Sequence, residues 1–323
     1  MNWKKGLLRT GLPLEYVTSG ILNNKGHEIF GDYPYIRPNE NKELKEFSVD
    51  IRTHKCLASN ERLFTLSMLI ECKYRQPGTS WIFSPYPSSI VPIGLVQSSE
   101  DLVPVRLNGS SVYEFEESIG YCISGVELDS NGNGKTDGAK HGAFQLRFAM
   151  PVLLKSSFEH VLKYDWYEGR TIELLCPILV TTSEIRVIKP NLALSDFDIA
   201  KELDDVTELR EAVILNEGTG PQLKEFADSL ADEFVKNHPE LQNRLSELDT
   251  VLVGEEWEKR YSPDIDTIKR IFSSSAERVL IVNYEYLDII IERLESAIMK
   301  DIENEEVYGK IIKFKDGLQI IKN

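Results

Sequence analysis

Two runs of alternating apolar and polar positions stand close together early in the chain. LKEFSVDIRTHK, Leu44 to Lys55, has period 2, which puts Phe47, Val49 and Ile51 on one face and Ser48, Asp50 and Arg52 on the other. LFTLSMLIECKYR, Leu63 to Arg75, is rich in β-branched, aromatic and large aliphatic residues and lies between the polar groups SNE and QPG, a strand signal. Its alternation places Phe64, Leu66, Met68, Ile70, Cys72 and Tyr74 on one face, and Leu63, Thr65, Ser67, Leu69, Glu71 and Lys73 on the other. The short connection CLASNE makes the two runs antiparallel neighbours in a hairpin. That pairing brings Asp50 beside Glu71 and Lys73 on one sheet face.

The flanking pattern extends the sheet. GLPLEYVTSGILNNKGHEIFGDYPY reads as a helix followed by a strand: Pro13 suits the first turn, Leu14, Val17 and Ile21 recur on one side, and Gly26 suits the stop. After the Pro-Gly turn, Trp81 and Phe83 mark a short core strand. YCISGVEL reads as another strand, and AKHGAFQLRFAM, residues 139–150, as a helix stopped or kinked at Pro151. TIELLCPILVTTSEIRVIK, residues 171–189, gives one or two strands. SDFDIAKELDD, QLKEFADSLADEFVKN and PELQNRLSELD have helical, amphipathic spacing. RVLIVNYEYLDIIIERLESAIMK reads as a buried strand running into a helix, so the sheet is expected to recruit a late strand.

Composition changes this picture in two places. Residues 1–190 hold 21 Lys and Arg against 22 Asp and Glu, while residues 191–323 hold 16 against 30, so nearly all of the net charge of −15 sits in the second part. The asymmetry predicts two regions, 1–190 and 191–323, the second being either an elaboration of the first domain or a surface for a protein partner or a homo-oligomer. Cys56, Cys72, Cys122 and Cys176 show no paired spacing, which argues against zinc and for free thiols in a reducing, cytoplasmic setting. No run nears the roughly 20 apolar residues of a membrane span, and the start lacks an apolar signal core, so no membrane partner is expected.

The chemistry is concentrated in the hairpin. Two carboxylates and an ammonium at one point suit a divalent cation and an attacking water. A salt bridge at a strand end is the plainer alternative. Asp50, a twenty-residue gap and then Glu71-Cys72-Lys73, preceded by a helix and a strand, resembles the PD-(D/E)XK nucleases of the restriction-endonuclease-like superfamily. Val49 stands where that motif has its proline. The resemblance covers residues 8 to 83. It implies an α/β fold with a mixed central sheet flanked by helices, here followed by an acidic, mainly helical C-terminal region. It also implies a Mg²⁺-dependent nuclease, Mn²⁺ substituting, acting on DNA in preference to RNA. Asp50 and Glu71 would hold the metal with the backbone carbonyl of Cys72, and Lys73 would position or activate water. Glu15 on the first helix would act through the metal's water shell, and Gln145 on the later helix would lie near the site. The competing class is a nuclease-like scaffold or binding subunit without catalysis.

DSNGNGKTDG, residues 129–138, imitates a calcium loop: Asp129, Asn131, Asn133, Gly134 and Asp137 fall at positions 1, 3, 5, 6 and 9, but Lys140 replaces the closing glutamate. The alternative is a polar connection between a strand and a helix.

Overall fold

The computed structural model describes residues 3–39, 41–58, 63–87, 94–98, 110–135, 138–164, 171–239, 241, 249–254, 257–261, 265–275, 277–308, 311–314 and 317–320. The predicted hairpin forms as β2 (Leu44–Ala58) and β3 (Leu63–Lys73), antiparallel from Ile51–Ile70 to Ala58–Leu63. Before it come α1 (Trp3–Arg9), α2 (Leu12–Asn24) and β1 (Glu28–Pro38). Pro13 sits in the first turn of α2 and Gly26 follows its end at φ +85°, a conformation glycine adopts freely. The buried stripe of α2 is Leu14, Thr18 and Leu22, each four residues on, with Ile21 at its margin. Val17, expected on that stripe, is 40% exposed. The apolar spacing alone did not see that a threonine could complete the buried row.

β4 (Ser80–Pro85) buries Trp81 and Phe83. It is followed by β5 (Gln97–Ser98), α3 (Ser110–Ile119), β6 (Tyr121–Leu128), β7 (Gly134–Lys135) and α4 (Gly138–Tyr164). α4 does not stop at Pro151 but runs 27 residues through it. An interior proline removes one helical hydrogen bond, at a cost of about 3 kcal/mol. Here both halves are buried, Leu146, Ala149 and Met150 before it and Leu153, Leu154 and Phe158 after it. Each fully buried Leu or Phe contributes about 1.5–3 kcal/mol, enough to hold the helix together across the proline.

Residues 171–189 form two strands, β8 (Thr171–Thr181) and β9 (Glu184–Ile188). The acidic half contains α5 (Leu194–Ile199), α6 (Leu203–Val206), β10 (Thr207–Arg210), β11 (Ala212–Asn216) and α7 (Pro221–Asn237). Then come β12 (Asp249–Gly254), β13 (Trp257–Tyr261), α8 (Ile265–Ser274), β14 (Arg278–Asn283), α9 (Leu287–Tyr308), β15 (Ile311–Phe314) and β16 (Gly317–Ile320). Its helices are thus interleaved with strands, of which β14 alone was expected, and the region is not mainly helical. Residues 242–248 of the third expected helix lie outside the described residues.

Twelve described strands make one mixed sheet, in the order β1-β2-β3-β8-β14-β11-β6-β4-β9-β10, with β5 on β8 and β7 on β6. β3 and β8 run parallel over eleven pairs, Leu63–Thr171 to Lys73–Thr181. The late strand β14 enters the middle, parallel to β8 and antiparallel to β11. Strands from both sides of residue 190 therefore share one sheet. Helices cover both faces: α4, α7 and α8 pack on one core, α2, α3 and α9 on the other. β12, β13, β15 and β16 pair separately in a four-stranded sheet.

The hairpin departs from simple alternation at one point. β1 pairs with β2 at Ile29–Thr53, Gly31–Arg52 and Tyr33–Val49, so three steps on β2 oppose two on β1 beside Asp50 and Ile51. Such a bulge reverses the side-chain alternation locally. Val49 and Phe47 consequently belong to the α4 side of the sheet, while Ile51 joins the α2 side. The expected common face for Phe47, Val49 and Ile51 is corrected accordingly.

Candidate functional site

β3 behaves as its alternation predicts. Phe64, Leu66, Met68, Ile70 and Cys72 enter the core under α2, and Leu69 enters the core under α4. Glu71 and Lys73 follow Leu69 by two and four residues and so face α4. Cys72 fills the opposite core, its Sγ 3.8 Å from Thr18 Oγ1, and burial pushes its thiol far up from the usual range. All four cysteines are free thiols.

Lys73 Nζ donates to Glu71 Oε1, and also to Gln145 Oε1 on α4 at 3.0 Å. Gln145 Nε2 in turn donates to the Ser48 carbonyl of β2 at 3.4 Å. Gly142, one helical turn before Gln145, lets α4 lie close. A methyl group there would come within 2.7 Å of Leu179 Cδ1 and 3.1 Å of Lys73 Cγ. The acid and base that share this face are therefore clamped by one helix.

The bulge settles the place of Asp50. Asp50 stands one residue beyond the last β2–β3 pair, and its Oδ2 accepts the Cys72 backbone N–H at 2.7 Å. The carboxylate takes a donor at the end of the ladder and lies close enough to Glu71 for its charge to disfavour ionisation of Glu71. Burial first, then the Asp50 charge, push the Glu71 carboxyl up from 4.5 to about 7, against the pull of Lys73. Burial also raises Asp50, partly offset by the Cys72 N–H and Lys73. Glu71 is 1% exposed, and its second oxygen, Oε2, is buried without a hydrogen-bond partner.

Glu15, in the first turn of α2, reaches the same neighbourhood. Its carboxyl is raised by burial, by Asp50 and by a fourth acid, Asp32. Asp32 also raises Asp50. It follows Gly31, the glycine at φ +70° between the two register shifts of β1. Sequence reading missed Asp32; a glycine inside a strand pattern is the signal that marks a bulge and could have drawn attention to it.

The arrangement gathers Glu15, Asp32, Asp50, Glu71, Lys73 and Gln145 at one end of the sheet. Among the described residues no three His, Cys, Asp or Glu side chains form a ready-made metal group. Magnesium, however, uses one or two carboxylates and keeps most of its waters. A buried orphan carboxylate oxygen, beside a second carboxylate that repels it, is the donor set that a hard divalent cation would satisfy. The residues present fit such an ion.

The mimic of a calcium loop resolves differently. Asp129 accepts the backbone N–H groups of Asn131 and Asn133, each at 2.9 Å, and Asn133 Nδ2 at 3.0 Å. Its carboxylate closes the β6–β7 turn, and these bonds hold it below the usual carboxylate range. Lys140 at the closing position lies 3.9 Å from Glu217. Asp137 lies outside the described residues. No described helix is long and apolar enough to cross a membrane. Set against protein-family models, curated proteins and solved structures, the chain has no significant match in any of the three.

Proposed function

We propose that the chain is a metal-dependent nuclease that hydrolyses phosphodiester bonds in DNA, on the pattern of the PD-(D/E)XK superfamily. The observation that carries the reading is the buried, unpartnered Oε2 of Glu71 beside Asp50, whose charge adds to burial in pushing the Glu71 carboxyl up in the absence of a cation. Asp50, Glu71 and the Cys72 carbonyl would hold Mg²⁺ or Mn²⁺, with Glu15 acting through its water shell. The ion would supply positive charge to the phosphoryl oxygens and favour a deprotonated nucleophile. Lys73 aims the attacking water by donating a hydrogen bond to it. Gln145 keeps that ammonium in position, and Glu71 limits its swing. Asp50 and Glu71 must both be ionised, so a proton has to leave Glu71 as the cation enters.

The test is cleavage of supercoiled plasmid and of single-stranded DNA with Mg²⁺ or Mn²⁺. Lys73→Ala is expected to lower the rate by about 100-fold or more. Its melting transition should stay close to wild type. Asp50→Ala should abolish cleavage. Loss of stability in Lys73→Ala with no cleavage by wild type would instead favour a catalytically idle scaffold. The closed Glu71–Lys73 ion pair is the observation on that side. Calorimetric titration separates the two, because a scaffold takes up no Mg²⁺ at millimolar concentration.

A further inference from the structure

The first acid of the chain is Glu15, whereas Lys4, Lys5 and Arg9 all precede it. No residue of α1 is buried. Trp3 is 67% exposed, Leu12 58% and Tyr16 78%, with Leu7 and Leu8 also exposed. Single exposed apolar residues are ordinary, but Trp3 and Leu7, and likewise Leu12 and Tyr16, are four residues apart and share a side of their helix. Lys4 Nζ lies 5.9 Å from the centroid of the Trp3 ring, so cation and aromatic face are presented together.

This surface adjoins the carboxylates. At 100° per residue, Leu12 and Tyr16 stack one turn apart on α2, and Glu15 falls between them and the buried Leu14–Thr18–Leu22 stripe. α1 is tied to the strand that carries the site. With the Gln76 amide turned so that its oxygen faces α1, Arg9 Nη2 and Nε donate to it at 2.9 and 3.1 Å, three residues past Lys73.

We infer that the α1–α2 face seats an unpaired nucleic-acid strand: bases stack on Trp3 and Tyr16 while Lys4 and Arg9 neutralise phosphates. This rests on the nuclease reading for its substrate class and adds that the strand approaches the carboxylates single-stranded. Flat apolar rings interleaved with cations match a ligand that has both base faces and phosphates. A duplex hides its base faces and leaves the two rings without a use. A two-fold contact with a second copy would set Lys4, Lys5 and Arg9 against themselves. A lipid surface would account for the chemistry of the patch but not for its place beside Glu15.

The experiment is fluorescence anisotropy with labelled oligothymidylate of about 20 nucleotides and a duplex of equal length, in Ca²⁺. Wild type should bind the single strand at least about tenfold more tightly than the duplex. Trp3→Ala/Tyr16→Ala should weaken single-strand binding by about 30-fold and Trp3→Phe should restore most of its share. Lys4→Ala should flatten the dependence of log affinity on log salt by about 0.7. Unchanged binding by the aromatic variant, or preference for duplex, overturns the inference. So does a wild type that ignores oligonucleotides while the same residues govern self-association or flotation with phosphatidylserine vesicles. Cleavage by wild type that Lys73→Ala abolishes, with strand binding untouched in the patch variants, would sink the patch alone. Strand binding through the patch with no cleavage by any variant would sink the nuclease reading alone.

Discussion

Glu71 is the residue on which the site turns. Its carboxyl titrates near 7 in the folded chain and near 4.5 when unfolded, so the folded state holds the extra proton between those values. Stability should therefore be highest below about pH 4.5 as far as this group is concerned, fall as pH rises towards 7, and level off above. The full span corresponds to an order of 3 kcal/mol. Glu71→Gln should flatten that part of a stability-versus-pH curve measured by urea unfolding. A curve that keeps its wild-type slope would remove Glu71 as the cause. Mg²⁺ should raise the wild-type melting temperature more at pH 8 than at pH 5, because only the ionised carboxylate receives it. At this scale part of the candidate site was legible. Glu71 and Lys73 could be placed together from alternation, because side chains two apart on a strand share a face, whereas Asp50 comes beside them only through the bulge. Asp32 could not, since an exposed acid on an outer strand looks like any solvated one. The swap of Val49 and Ile51 to opposite faces was hidden as well, because it depends on how β1 pairs with β2.

Between elements, the contact of α4 with β3 sets the position of the ammonium. Replacing an interior helical glycine by alanine ordinarily stabilises a helix by about 1 kcal/mol. At Gly142 the added methyl would press on Leu179 and on the Lys73 stem. Gly142→Ala is expected to lower the cleavage rate about tenfold or more, although it alters no charge, because a small displacement of a positioned group has large kinetic effects. The readout is kcat at saturating Mg²⁺, with circular dichroism to show that α4 persists. Helix periodicity located α4 but left open whether it stops or kinks at Pro151, because local propensity carries no information about burial on both sides of the proline. β10 and β11 escaped notice for a related reason: they have four and five residues, and only β11 carries an apolar run, the four buried residues AVIL before Asn216.

For the whole molecule, sheet order matters more than the charge boundary near residue 190. β14 separates β8 from β11, and α9 covers the core beneath them. Glu295 of α9 also accepts from His27 Nε2 at 2.7 Å and from Lys55 Nζ at 2.6 Å. Burial pushes Glu295 upward, but these two bonds leave it below the usual carboxylate range. A fragment of residues 1–190 would lose these acceptors and leave β8 without its β14 partner from Ile178 to Thr181. It should show no cooperative unfolding transition and little protection of β3 and β8 amides from hydrogen exchange. A fragment that melts cooperatively would mean that the first half is self-sufficient. The sequence announced a late strand joining the sheet, since RVLIVN is apolar enough to be buried on both faces. Its insertion between β8 and β11 was not readable, because partner choice is made by neighbours far away in the chain.

The central place of β14 also sets a timetable. Ile178 finds its partner Leu280 only after about a hundred further residues have been added. During synthesis β3 and β8 can align early, yet the strand that steadies β8 arrives about a hundred residues later. Long-separation pairings of this kind are slow to form and leave sheet edges open meanwhile. A nascent chain would thus carry its cluster of acids without the framework that holds them together until β14 has been made.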